Sequence, residues 1–198
     1  MAQPKTLLEM AGADPGPAPW DTCVVVMIDF QNEYLDGALA LFGVEAALAE
    51  GARLLKRARA VGAPVIHIRH QGKAGGAFDP DDRRGAICEQ AAAGDGEAVI
   101  MKTLPNAFAG TDLDAQLKAT GRTHIIAAGF MTHMCVSATV RSCLDHGYGA
   151  TVVAGACATR DLPDGIGGVV PAAALHRAEL AALGDRFATL VPDTKALN

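Results

Sequence analysis

Short, nearly unbroken apolar runs recur along this chain, and the stretches between them carry apolar residues at helical spacing. Thr22 to Asp29 is almost continuous Val, Met and Ile, the pattern of a strand buried on both faces. Pro64 to Arg69, Ala98 to Met101, Thr123 to Ala128, Ala150 to Ala154 and Phe187 to Val191 read as further strands. Between them, Val44 to Val61 sets Leu48, Leu54 and Leu55 against Arg53, Lys56, Arg57 and Arg59. Leu113 to Thr120, Cys135 to His146 and Ala172 to Leu183 also read as helices, stopped by Gly121, Gly147 and Gly184. Strict alternation of strand and helix admits few solutions. The expected class is α/β, a three-layer α-β-α, Rossmann-like arrangement around a mostly parallel sheet.

The 198 residues, half of them hydrophobic, suit one core-bearing domain over 21–198. Residues 1–20, rich in Ala, Pro and Gly, read as an N-terminal arm without the layout of a signal peptide. A formal net charge of −5 with no basic run makes nucleic acid and anionic membranes poor partners. No apolar run approaches the ~20 residues needed to span a bilayer. The cysteines are Cys23, Cys88, Cys135, Cys143 and Cys157. An odd count without short paired spacings argues against a disulfide framework or a zinc site and for a reducing cytoplasm. The histidines show no metal-ligand spacing, so neither metal nor cofactor is expected. Ser137 and Ser142, the two serines, fall inside a helical pattern with no nucleophile elbow around them.

In such sheets ligands bind beyond the carboxyl ends of the strands, so polar residues at those ends carry the functional signal. Asp29 ends the first run, Lys102 the third, and Gly129-Phe130-Met131-Thr132-His133-Met134-Cys135-Val136 follows the fourth. A cysteine at a strand-to-helix turn meets unpaired N–H groups and the positive helix end, which favour a nucleophilic thiolate. A neighbouring carboxylate supplies a base, and an ammonium stabilises the ionised pair. His133, two residues before the thiol, is expected to stabilise the turn by a hydrogen bond. His67 and His70, three apart, should lie on opposite faces. The polar stretch Gln71 to Gly96 has the length of a lid or substrate loop.

Taken together, Val26-Met27-Ile28-Asp29-Phe30-Gln31, Ile100-Met101-Lys102 with Asn106-Ala107-Phe108, and the Gly129–Val136 octet resemble the isochorismatase-like cysteine hydrolases. That family includes nicotinamidases and N-carbamoylsarcosine amidase. The resemblance covers about Thr22 to Val191. It implies a six-stranded parallel sheet, a catalytic set of Asp29, Lys102 and Cys135, and a cis peptide between Phe130 and Met131. It also implies an oxyanion hole from the Met131 and Cys135 N–H groups, and a homo-oligomer, dimer or tetramer. Two departures narrow the subfamily. The Asp-x-His metal motif of nicotinamidases is replaced by His67-Ile68-Arg69-His70, and vinyl-ether-cleaving isochorismatases generally lack the cysteine present here.

The expected activity is therefore hydrolysis of the C–N bond of a small amide or carbamoyl compound through a thioester. Phe30, Tyr34, Phe78 and Phe108 are expected to wall the pocket and Gln31 to orient the substrate. Vinyl ether hydrolysis is the alternative within the enzyme class. A redox-sensing thiol protein is the alternative outside it, though no Cys-x-x-Cys accompanies Cys135.

Overall fold

In the computed structural model, residues 3–13 and 16–197 are described. Residues 1, 2, 14 and 15 of the expected arm, and residue 198, lie outside them. The apolar runs form β1 (Cys23–Ile28), β2 (Val65–His70), β3 (Ala98–Lys102), β4 (His124–Phe130) and β5 (Gly149–Ala158), with β8 (Thr189–Val191) at one edge. They make one six-stranded sheet in the order β3-β2-β1-β4-β5-β8, parallel throughout. Successive β1 side chains face opposite ways. Cys23, Val25 and Met27 pack with α3 (Val44–Ala60), while Val24, Val26 and Ile28 pack with α4 (Leu113–Ala119), α5 (Ser137–Asp145) and α6 (Ala172–Arg186). Complete burial of β1 explains why its sequence does not alternate.

The chain runs from β1 outward to β2 and β3, then returns to place β4 against the other side of β1. The order reverses between β1 and β4, where open parallel sheets bind their ligands. Asp29 and the Gly129–Val136 octet flank that point.

Several boundaries differ from expectation. β4 continues to Phe130 and β5 to Ala158, with a register shift between Ala127 and Gly129 joining their distal halves. A small antiparallel hairpin, β6 (Leu162–Pro163) and β7 (Val169–Val170), precedes α6. The arm carries a one-turn helix, α1 (Leu7–Met10), closed by a Thr6–Glu9 capping box and tied to α6 by a Leu7 N–H to Asp185 hydrogen bond of 2.8 Å. Among the described residues no helix is long and apolar enough to cross a membrane.

Candidate active site

Each of three strand ends delivers one reactive side chain. Asp29 follows β1 with φ of 53°, a left-handed conformation that Asp tolerates better than most residues. Its N–H bonds to Ile68 O at 3.0 Å, and its carbonyl accepts from Gln31 N at 2.8 Å, so the carboxylate turns back over the strand ends. Lys102 is the last residue of β3 and pairs in register with His70 on β2. Strands lie about 4.8 Å apart, so the lysine must cross the end of β2 to reach β1, and its long side chain spans that gap. Cys135 lies in a π-helical turn, Thr132–Val136, in which Val136 N–H reaches back to Met131 O at 3.2 Å.

These side chains meet at one nitrogen. Lys102 Nζ is 2.7 Å from Asp29 Oδ2, 3.3 Å from Cys135 Sγ and 3.2 Å from His70 Nδ1. The set is almost closed to solvent: Asp29 is 0 % exposed, Lys102 2 % and Cys135 5 %. Burial raises the Asp29 carboxyl against the pull of Lys102. Burial first, then the Asp29 charge, push the Cys135 thiol up to about 12, with Lys102 opposing them. This opposes the thiolate-favouring effect expected of the turn. The regular helix α5 starts only at Ser137, so Cys135 precedes its first turn, and desolvation outweighs what the helix end offers.

The turn itself is anchored to the end of β5. Thr132 Oγ1 donates to Ala158 O at 3.1 Å and lies 2.9 Å from His176 Nδ1. His133 Nδ1 is 2.5 Å from Thr159 Oγ1, so this histidine bonds to the scaffold rather than to the thiol. The Phe130–Met131 peptide is cis, and Met131 directly precedes the turn that carries Cys135.

The expected pocket residues divide. Tyr34 and Phe78 pack edge to face at 5.0 Å, and Phe78 packs likewise on His70 at 5.1 Å. Burial, then the charges of Asp29 and Cys135, push the Tyr34 phenol well up. Phe30 belongs instead to the core. Its ring packs on Phe130 at 4.7 Å and so closely over α3 that a Cβ at Gly51 would lie 2.6 Å from it. Phe108 is also no pocket wall. It stacks on His146 at 4.3 Å, beyond the far end of α5, roughly 15 Å of helix from Cys135.

Gln31 is not free to orient a substrate either. Its Nε2 donates to His70 O and Gly85 O, each at 2.8 Å, and its Oε1 accepts from His70 N–H at 2.8 Å. With every polar atom committed and the residue fully buried, it is a strut between β2 and the 71–96 segment. Arg69 adds 2.8 Å bonds to Gly85 O and Pro80 O, so this segment is fastened over the strand ends.

His70, in contact with Lys102, belongs to the site and was not read as a site residue from sequence. Arg160 follows Thr159, its charge acts on both Tyr34 and His133, and its buried Nε has no partner. His67 points to the other face, 2.8 Å from Glu97. Among the described residues no three His, Cys, Asp or Glu side chains are grouped to hold a metal ion.

Fold and site together define an α/β protein with a cysteine at the sheet's switch point. The chain belongs to the isochorismatase family, whose domain matches residues 23–193. An isochorismatase structure from Pseudomonas putida KT2440 superposes with a TM-score of 0.94 at 43 % identity, covering 99 % of this chain and 100 % of that one. The uncharacterized isochorismatase family protein YddQ of Bacillus subtilis is 40 % identical over 85 % of this chain and 95 % of its own. A maleamate amidohydrolase of Pseudomonas putida is 32 % identical over 65 % of this chain and 68 % of its own.

Proposed function

We propose that this hydrolase cleaves the C–N bond of a small amide or carbamoyl compound through a thioester on Cys135. The observation that carries the reading is the convergence of Asp29 and Cys135 on the Lys102 ammonium. Losing the thiol proton to water would leave two anions in a buried site. Passing it to Asp29 moves one negative charge from oxygen to sulfur, and Lys102 touches both, so the charge of the set is unchanged. Burial, by raising Asp29, makes that carboxylate a willing acceptor.

The Cys135 sulfur then attacks the carbonyl carbon, and the C–O π pair moves to oxygen beside the Met131 and Cys135 N–H groups. Asp29 returns the proton to the leaving nitrogen, the C–N bond breaks and ammonia or an amine departs. Water, deprotonated by Asp29, attacks the thioester. The acid leaves and the proton goes back to sulfur. A vinyl ether reading gives the thiol no part, and a redox-sensor reading requires an accessible, easily ionised cysteine. The redox reading does not suit a thiol that is 5 % exposed and pushed up to about 12, and the vinyl ether reading leaves the Lys102 contact with Cys135 without a use.

The Arg160 guanidinium, which bonds to Asp161 O through Nη1 and leaves its Nε unpartnered, favours a substrate bearing a carboxylate. Maleamate, the half-amide of a dicarboxylic acid, is named in one relative and has that form. The test is an ammonia-release screen of carboxylate-bearing and neutral small amides, with mass spectrometry of the enzyme adduct. A Cys135-linked acyl adduct with turnover lost in Cys135→Ala is expected, and turnover retained in Cys135→Ala refutes the reading. Arg160→Met should raise KM about tenfold or more for carboxylate substrates alone, the worth of one charged hydrogen bond.

A further inference from the structure

We propose that His70 is a positioning residue for Lys102: its Nδ1 accepts one ammonium proton and so aims the others at Asp29 and Cys135. The inference rests on the reading that Lys102 stabilises the Cys135 thiolate, and adds how the lysine is held to that task.

An ammonium carries three protons and no acceptor. The three groups around Lys102 Nζ are Asp29 Oδ2, Cys135 Sγ and His70 Nδ1. A lysine has four rotatable bonds, and with two partners it would remain free to pivot about them. The third contact, from a different strand, removes that freedom. His70 is itself immobilised on three sides. Gln31 bonds to both its backbone N–H and its carbonyl, register pairing holds it to Lys102, and the Phe78 ring packs on its imidazole.

The geometry also sets the ring's protonation. A nitrogen accepting from an ammonium must be bare, so the proton resides on Nε2. Burial, then the Lys102 charge, hold the imidazole down to about 4, and a neutral ring is what an acceptor role needs. The titratable groups facing the cluster are Asp29 after β1, Lys102 on β3, Cys135 in the π turn and Tyr34 on α2 (Glu33–Asp36). Lys102 is the charge that acts on His70.

Alkylation of Cys135 by iodoacetamide reads the thiolate without requiring the substrate. His70→Ala should slow alkylation at neutral pH about tenfold, the equivalent of one pKa unit of lost stabilisation. In His70→Asn the side-chain oxygen replaces Nδ1 as acceptor and should hold the rate within about threefold of the parent. Alkylation in His70→Ala equal to the parent, or equally slow in both variants, overturns the inference. A second measurement uses the unaltered protein: nitrogen NMR should show His70 as the neutral Nε2–H form throughout the neutral range. A ring titrating close to the ordinary 6.5 overturns it too. Lys102→Met separates the failures. If Lys102→Met slows alkylation and His70→Ala does not, only the role of His70 falls. If neither has an effect, the role of Lys102 falls as well.

Discussion

Replacing Asp29 by Asn should make Cys135 easier to ionise while abolishing turnover, a combination few other mechanisms produce. Asp29 raises the thiol chiefly by its charge, whereas Lys102 lowers it. Both groups contact the same nitrogen, so the carboxylate and sulfur lie about 5 Å apart. At an effective dielectric of ~20 their repulsion is about 3 kcal/mol, or about two pKa units. Without it the thiol midpoint should fall from about 12 to about 10. Dependence on pH should change shape as well. In the parent, thiolate arises by internal transfer to Asp29, so iodoacetamide alkylation should be nearly flat from about pH 6 to pH 9. In Asp29→Asn the proton must leave to water, and alkylation should climb about tenfold per pH unit before levelling near the new midpoint. Amide turnover should drop by about 10²–10⁴ at every pH, because no group remains to protonate the leaving nitrogen. Alkylation in Asp29→Asn that levels no lower than about pH 12 would refute the electrostatic argument. Turnover that recovers once thiolate is abundant would refute the role of Asp29 as acid.

Glu97 should supply acid-sensitive stability. The Arg59 hydrogen bond, its largest influence, holds it near 2 against an ordinary 4.5. A depressed carboxyl stabilises above its unfolded pKa and loses that contribution as pH falls through the folded one. After discounting for the partly exposed Arg59, about 2 kcal/mol should vanish between about pH 4.5 and pH 2. Urea midpoints of parent and Glu97→Gln should converge over that window, and a gap independent of pH counts against the assignment. Gly129→Ala should be far worse than a typical glycine change. The residue has φ of 147°, and a Cβ would lie 2.0 Å from Ile28 O. A cost on the order of 3–5 kcal/mol is expected, lowering Tm by about 10 °C or more. A melt within 2 °C of the parent would mean that β1 and β4 can part without penalty.

What was legible in the sequence is what local patterning encodes. β1 stands out because it is buried on both faces, and Asp29 and Lys102 because a charged residue ending such a strand requires an explanation. The second half of β5, Gly155 to Ala158, has no pattern to find, since its pairing with β4 depends on a register shift at Gly129. Phe108 lies in a motif near Lys102 in sequence, but its distance from Cys135 is decided by the length of α5. Gln31 lies two residues from Asp29 in the chain, yet its contacts are to His70 and Gly85, partners that only the folded β2 and 71–96 segment bring into reach.

The thiol shows the same limit in its electrostatics. A strand-to-helix turn locally favours a thiolate, whereas the assembled site raises Cys135 through burial and Asp29. The reversal makes the base expected at Asp29 more necessary. A preformed thiolate would need only a cation, and Asp29 would be needed only after the first attack. A neutral buried thiol needs its base before any bond is made, and the base must lie where its acquired proton costs little charge separation. Lys102, in contact with both, meets that condition only while its ammonium is aimed at the two together. This is why the residue at the end of β2, which the lysine must cross, belongs to the chemistry as much as the strand ends on either side.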